Sequence, residues 1–177
     1  MRTDVISIDN QGNGFGNAIE ETKKIAQFDG LNDTDSIHLQ LFTEELLSMA
    51  RSITGEMKAS FWIDNEGPSY ILNLTTDTVM DKEKRDLLLS ASSTRKNDAA
   101  KTFLGMLRDA FEEAMLVSDE RANFYELPGD IAADVSGRFV EDLEWDRYES
   151  SILLKLADDV RIGIVGGKVH MKVSKTF

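Results

Sequence analysis

Hydrophobic residues recur every three or four positions between Asp33 and Ile53, which is the spacing of one face of an α-helix. We expect this face to pack against a sheet, and it consists of Leu39, Phe42, Leu46, Met49 and Ile53. The nearly opposite face mixes apolar and polar side chains, namely Ile37, Leu41, Glu44 and Ser48. Such a mixture is unusual for a solvent face, so it favours a helix that is covered on both sides, with Glu44 and Ser48 beside a pocket.

Alternating apolar and polar residues predict two β-hairpins. The first follows the long helix directly, with strands at Lys58–Asp64 and Ser69–Thr76 and a turn at residues 65–68. The second closes the sequence, where residues 160, 162 and 164 are apolar, Gly166-Gly167 forms the turn, and residues 169, 171 and 173 are apolar again. A short alternating strand at Val5–Ile8 begins the chain.

Helical spacing also occurs on either side of the first hairpin. A helix is predicted from Ile19 to Phe28, and Asp33 or Asp35 is expected to cap the long helix that follows it. After the hairpin, Asp81 is expected to cap a short helix that ends near Ser90.

Two more helices are predicted before the second hairpin. Asn97 or Asp98 starts the first of them, and its apolar face carries Phe103, Leu107, Ala110, Phe111 and Ala114. The second spans Trp145–Asp158. Between them Ser118–Glu144 is the least periodic part of the chain, and we interpret it as an insertion.

The order of these elements is strand, helix, helix, hairpin, helices, hairpin. It predicts an α+β fold, a two-layer sandwich in which helices pack on one face of a mixed, mostly antiparallel sheet. The length of 177 residues suits a single domain over 1–177.

Composition excludes several classes of partner. A formal net charge of -12 repels phosphodiester backbones and anionic lipid, so we expect neither a nucleic-acid partner nor a membrane partner. The absence of cysteine excludes disulfides and thiolate metal sites. No apolar run approaches the length of a membrane span, which favours a cytoplasmic location.

A glutamate followed four residues later by a small polar residue stands in Thr43-Glu44-Glu45-Leu46-Leu47-Ser48-Met49-Ala50, on a helix that precedes a hairpin. This arrangement resembles the N-box of the GHKL ATPase superfamily, which includes histidine kinases, gyrase-type ATPases and anti-sigma serine kinases. The resemblance implies that Glu44 is a general base. It also implies that Ser48 occupies the position of an asparagine that ligates the Mg²⁺ of bound ATP.

The same resemblance assigns two further segments. Asp77 follows the second hairpin strand, where the family has an aspartate that reads adenine, although neither glycine of the family motif comes after it. The loop before the next helix takes the place of the family's phosphate-binding lid, and its candidate residues are Ser92, Ser93, Thr94, Arg95 and Lys96. The alternatives are that Asp77 is a helix cap, that the loop is a solvated connector and that Glu44 is a solvated carboxylate.

The glycine run Gly12-Asn13-Gly14-Phe15-Gly16 lies between a strand and a helix. A dinucleotide-binding fingerprint has this context, but its third glycine would fall one position later and a parallel βαβ unit would follow. The run is therefore interpreted as a turn that caps the next helix.

The resemblance as a whole implies an ATP-binding regulatory protein of the anti-sigma factor serine kinase type. Its cofactors would be ATP and Mg, its partner a sigma factor or an anti-sigma antagonist protein, and it would form a homodimer. Its degenerate motifs imply weak or absent kinase activity. The alternatives are a non-catalytic protein-interaction module of the same fold that binds no nucleotide, and a sensor of another small anionic ligand.

Overall fold

The computed structural model describes residues 1–9, 11–54, 58–123 and 156–177. In chain order the described elements are β1 Ile6–Ile8, α1 Phe15–Phe28, α2 Asp33–Thr54, β2 Ala59–Glu66, β3 Ser69–Asp77, α3 Lys82–Ser90, α4 Phe103–Asn123, β4 Asp159–Val165 and β5 Lys168–Thr176. None of the helices in these ranges combines the length and the apolar composition that crossing a bilayer requires.

The five described strands form one sheet in the order β1-β2-β3-β5-β4. Each pair of neighbours is antiparallel. The α+β sandwich is therefore confirmed, and the sheet is more uniform than the mixed sheet that the sequence predicts. Parallel pairing in the described ranges is confined to an isolated bridge between Asn97 and Ile162.

Both predicted hairpins are confirmed, with turns of two residues. In the first hairpin Glu66 pairs with Ser69, so the turn is Gly67-Pro68 rather than four residues. Gly67 has φ 58°, which a residue with a Cβ adopts reluctantly. Because the proline ring fixes φ of the next residue at a negative value, the two residues fit a type II′ turn.

The core lies between one face of the sheet and the helices. Four residues of the predicted stripe of α2 are buried there, since Leu39, Phe42, Leu46 and Met49 are 0–3% exposed. The side chain of Ile53, the fifth, lies outside the described part. α1 packs beside α2, and the hydroxyl groups of Thr22 and Thr43 are 2.9 Å apart in the buried contact between the two helices. α2 is thus held by both the sheet and a neighbouring helix.

The helix caps confirm one prediction and correct another. Asp81 caps α3, because its carboxylate accepts a hydrogen bond of 2.8 Å from the backbone N–H of Lys84. At the start of α2 the cap is Asn32, not Asp33 or Asp35. The Asn32 side-chain oxygen accepts the backbone N–H of Asp35, and the Asn32 side-chain amide donates to the Asp35 carboxylate. One side chain thus satisfies a free N–H of the first helical turn and is itself held by the other.

The helix predicted from Asn97 or Asp98 starts later than expected. Asn97 caps a single 3₁₀ turn at Asp98–Ala100, and α4 begins only at Phe103. The Asn97 amide is also bonded to the backbone of Ile164 in β4, which fixes this residue at the sheet edge. A single 3₁₀ turn follows it instead of a continuous α-helix. Residues 124–155 are outside the described ranges. They include most of the helix predicted at Trp145–Asp158 and the part of the interpreted insertion that follows Asn123.

Candidate functional site

Glu44 and Ser48 lie on the side of α2 that faces away from the core. Glu44 is exposed, Ser48 is half-buried and Ile37 on the same side is 62% exposed. The prediction that this side is covered is therefore wrong. The second neighbour of α2 is α1, which covers the flank at Thr43, and successive helical residues point about 100° apart, so Glu44 turns away from that contact.

Asp77 ends β3 on the sheet face opposite the helices. Side chains alternate along a strand, so Asp77 shares a face with Thr75, whereas Thr76 points into the core. The Asp77 carboxylate is 73% exposed and lies 3.9 Å from Nζ of Lys168, its partner in β5. This position directs the carboxylate away from the helical layer.

The segment Ser92–Asn97 follows the free edge of β4. The Ser93 N–H donates to the carbonyl of Val160 at 2.8 Å, and the Val160 N–H donates to the Ser93 hydroxyl at 2.7 Å. The Asn97 amide both donates to the carbonyl of Ile164 at 2.8 Å and accepts its N–H at 2.7 Å. Ser92 is also buried and donates to the Val160 carbonyl. These bonds satisfy an edge strand that would otherwise present unpaired backbone groups.

Thr94, Arg95 and Lys96 form the exposed part of the same segment. Arg95 has φ 54°, a left-handed conformation that side chains other than glycine adopt rarely. Neither cation forms an ion pair with a residue that the structure describes. Because β3, β5, β4 and this segment are successive neighbours, three strand spacings, or about 14 Å, separate the segment from β3, and Asp77 at the end of β3 is at least that far away.

The glycine-rich turn before α1 satisfies its own backbone groups. The Asp9 carboxylate accepts the N–H groups of Gln11 and Asn13 and the side-chain amide of Asn13. These contacts, the Asn13 side chain first, lower the pKa of Asp9 from its ordinary value. Gly14 caps α1 with φ 88°, and a Cβ there would lie 2.1 Å from the Ser7 carbonyl oxygen. The segment is thus built as a turn that caps the helix, and the Asp9 carboxylate already accepts N–H groups of that turn.

The residues predicted to bind ATP and Mg thus occupy separate places. Glu44 is on the outer side of α2, Asp77 is on the outer face of the sheet, and Arg95 with Lys96 is beyond the β4 edge. In the described ranges, no three histidine, aspartate or glutamate residues are grouped in a way that could hold a metal ion.

A cavity of about 360 Å³ lies where α3 and α4 meet the β4–β5 turn. Its apolar walls come from the segment after β3, from α4 and from β4, through Val79, Met80, Phe111, Met115, Leu116 and Ile164. Thr78 and Gly167 close one end, where the Thr78 N–H donates to the Gly167 carbonyl at 2.7 Å. The volume and the apolar lining are those of small-ligand sites.

Arg85 is the buried cation among the residues that line this cavity. It projects from α3, is 3% exposed, and its Nη2 donates to Oδ1 of Asp109 on α4 at 2.6 Å. The same carboxylate oxygen accepts the Asn97 side-chain amide at 2.5 Å. A buried guanidinium, its carboxylate and the segment along the β4 edge therefore form one network that holds α4 in place.

Glu112 is the second charged residue of the lining. One of its carboxylate oxygens accepts the Gly166 N–H at 3.0 Å, and the other lies 3.7 Å from Nε of Arg108. Glu112 therefore ties α4 to the β4–β5 turn. Its charge also opposes the entry of a polyanion.

Arg85 and Asp109 were not predicted from the sequence. One signal was available, because Arg85 precedes Leu88 by three residues and both are buried on one face of α3. A charged residue on the apolar face of a short helix indicates a buried pair or a ligand contact. Nothing local in the sequence connects Arg85 with Asp109, at a separation of 24 residues.

A second cavity, of about 490 Å³, lies beside Arg2 and Asp64. The Asp64 carboxylate accepts hydrogen bonds from Arg2 at 2.6 Å, from Trp62 at 3.1 Å and from Asn73 at 3.0 Å. The pKa of Asp64 is lowered from its ordinary value, mainly by the hydrogen bond from Arg2. Because Arg2, Trp62 and Asn73 already donate to this carboxylate, it has fewer free acceptor positions for a ligand, and we take the cavity beside Arg85 as the stronger candidate.

The two histidines line neither cavity. His170 lies on the outer sheet face, with Nδ1 3.0 Å from the Thr75 hydroxyl oxygen. The pKa of His170 is lowered from its ordinary value. Burial is the main cause, and the positive charges of Lys168 and Lys172 add to it.

Comparison with known proteins adds no identity to this geometry. The chain matches no protein-family profile and no curated protein. The cavity beside Arg85 is therefore interpreted from its own residues.

Proposed function

We propose that this protein is a non-catalytic ligand-binding module, and that its ligand occupies the cavity between α3, α4 and the β4–β5 turn. The observation that carries the proposal is the cavity itself, with its apolar walls and one buried cation. A ligand in this cavity that binds one arrangement of α4 better than another would shift the population of molecules toward that arrangement, which is how a binding module can regulate a partner.

The polar groups of the lining support binding rather than catalysis. Glu112 is bonded to Gly166, and the Thr78 N–H is bonded to Gly167, so both hold the protein's own backbone. Arg85 offers donors but no acid–base chemistry, because a guanidinium stays protonated in proteins. The lining thus supplies an apolar environment, one fixed positive charge on Arg85, and the Glu112 carboxylate, which is already bonded to the β4–β5 turn.

The first experiment measures the melting temperature with a panel of octyl compounds that differ in head group: 1-octanol, octanoate and octylammonium. A bound ligand stabilises the folded state by about 2.7 kcal/mol at a hundredfold excess over its dissociation constant. We expect at least one of the three to raise the melting temperature. If none does so up to its solubility limit, the proposal is wrong.

A pair of matched variants ties the effect to the cavity. Leu116→Trp fills the cavity, whereas Leu107→Trp makes the same change on an exposed part of the same helix that does not line it. The ligand-induced shift should persist in Leu107→Trp and disappear in Leu116→Trp. The melting temperature of each variant without ligand shows that both are folded.

A second candidate is the ATP-binding regulator of the anti-sigma serine kinase type, with a sigma factor or an antagonist protein as partner. The observation that favours it is that Thr78 and Val79, which directly follow Asp77, line the cavity. Adding Mg-ATP to the same assay separates the two candidates. A shift that Asp77→Asn abolishes would support nucleotide binding and displace the first proposal, whereas no shift is the result that the first proposal expects.

A further inference from the structure

We propose that the ligand of this cavity is an amphipathic monocarboxylate, a molecule with an apolar body and one carboxylate that binds Arg85. The inference rests on the function proposed above and specifies its ligand class. It follows from the unmatched donors of Arg85, from the apolar walls and from the charges around the cavity.

The guanidinium of Arg85 has more donors than the protein satisfies. Arginine carries five N–H donors, and Nη2 is the nitrogen bonded to Asp109. Nε and Nη1 make no hydrogen bond to the part of the chain that the structure describes, although the residue is 3% exposed. In the described ranges the fully enclosed side-chain atoms without a hydrogen-bond partner are Asn65 Oδ1 and Thr76 Oγ1. The two unpaired nitrogens of Arg85 are therefore accessible, and the cavity that Arg85 lines is where a partner can bind them.

The geometry of the Arg85–Asp109 pair leaves room for a second carboxylate. Arginine and a carboxylate often pair through two parallel hydrogen bonds, but here a single bond joins Nη2 to Oδ1. Asn97 donates to the same oxygen and fixes the Asp109 carboxylate at that side. A ligand carboxylate can therefore bind the free side of the guanidinium without displacing Asp109.

Charge limits the ligand to a single negative group. Asp109 and Glu112 lie close to the position proposed for the ligand carboxylate, and the chain has a net charge of -12. Lys84 does not offset them, because its ammonium, which donates at 3.1 Å to the Val79 carbonyl in the cavity wall, already has the Asp81 carboxylate at 3.7 Å. One carboxylate is matched by Arg85, whereas a triphosphate would meet two acidic side chains.

The apolar walls set the nature of the rest of the ligand. Phe111, Met115 and Leu116 of α4 line the cavity together with Ile164 of β4 and Val79. An alkyl chain or an aromatic ring would remove these surfaces from water. Methionine side chains adapt to either shape, so the structure specifies an apolar body but not its outline.

The octyl panel tests this inference on the unmodified protein by isothermal titration calorimetry. Octanoate should bind about tenfold more tightly than 1-octanol, the ratio that one charge-assisted hydrogen bond supplies. Octylammonium should bind more weakly than either, and acetate, which has no apolar body, should not bind measurably. Equal affinities for octanoate and 1-octanol would overturn the inference while leaving the proposed function in place, and binding by none of the octyl compounds would overturn both.

Variants assign the effect to Arg85. Replacing Arg85 alone would leave the half-buried Asp109 carboxylate without its counter-charge, so the double variant Arg85→Met/Asp109→Asn is used. In this variant the ratio of the octanoate affinity to the 1-octanol affinity should fall from about ten to about one, whatever the variant does to the two affinities together. Retention of the advantage would show that another group recognises the carboxylate and would overturn the assignment.

Discussion

The helices α2 and α4 are nearly equal in length, at 22 and 21 residues, and the sequence gives both an apolar face. Their environments differ. The four described residues of the α2 stripe are 0–3% exposed, whereas Leu104, Leu107, Phe111 and Met115 of α4 are 55–74% exposed. An apolar face with helical spacing therefore indicates a helix but does not determine what covers it.

The difference arises from how each helix is attached. α2 is held by side chains packed against the sheet and α1, so burial of apolar surface stabilises it. Among the side chains that the structure describes, α4 is held by polar contacts, through Asp109 to Arg85 and Asn97 and through Glu112 to Gly166. The cavity lies under α4 because polar contacts fix the helix at a few points without filling the space between them.

Leucine truncation gives the largest contrast between the two helices. Leu46→Ala should lower the free energy of unfolding by about 4 kcal/mol, because the side chain is fully buried and its removal leaves a cavity. Leu107→Ala should change it by less than about 0.5 kcal/mol, because Leu107 is 60% exposed. Urea denaturation measures both. A loss of comparable size in Leu107→Ala would show that the α4 face is buried in the folded protein and would remove the contrast.

Loss of the carboxylate that anchors α4 should have the next largest effect. Asp109→Ala should lower the free energy of unfolding by about 3 kcal/mol, because Arg85 would remain buried without a counter-charge. Glu113→Ala, an exposed position on the same helix, is the control and should cost less than about 0.5 kcal/mol. Equal effects in urea denaturation would mean that the Arg85–Asp109 pair does not hold α4.

Those parts of the fold that depend on local spacing were predictable from the sequence. Alternation predicts both hairpins, three-and-four spacing predicts the buried stripe of α2, and the position of Asp81 before α3 predicts its cap. The start of α4 was not predictable, because the Asn97 amide bonds to Ile164, which is 67 residues away. A contact of that separation leaves no trace in the residues around Asn97.

The candidate site was less predictable than the fold. The resemblance predicts a site formed by Glu44, Asp77 and the Ser92–Lys96 segment, whereas the fold distributes these over three different places. Ser92 and Ser93 could not be recognised as edge-strand partners, because their bonding partner Val160 comes much later in the chain. The cavity depends on Arg85 and Asp109, whose pairing is likewise a product of tertiary structure.

Close approach of α4 to the segment before it gives a further test of its attachment. A Cβ at Gly105 would lie 2.7 Å from the carbonyl oxygen of Ala99, so Gly105→Ala should destabilise the protein by about 2 kcal/mol. A Cβ at Gly16 of α1 would meet no described atom within 4 Å, so Gly16→Ala should stabilise the protein by about 0.5 kcal/mol. Thermal unfolding of the two variants should show shifts of opposite sign, and shifts of the same sign would contradict the close contact.

The smallest effect concerns the hydroxyl pair that joins α1 to α2. Thr43→Ala should cost about 1 kcal/mol, since the variant loses a buried hydrogen bond to Thr22, and Thr43→Ser should restore part of it. Ser48→Ala on the uncovered side of α2 should change stability by less than about 0.5 kcal/mol. A double-mutant cycle with Thr22→Ala measures the coupling, expected at about 0.5 to 1 kcal/mol. Zero coupling would mean that the Thr22–Thr43 contact does not join α1 to α2. A larger effect at Ser48 than at Thr43 would mean that the side of α2 that carries Ser48, and not the side that faces α1, is the covered one.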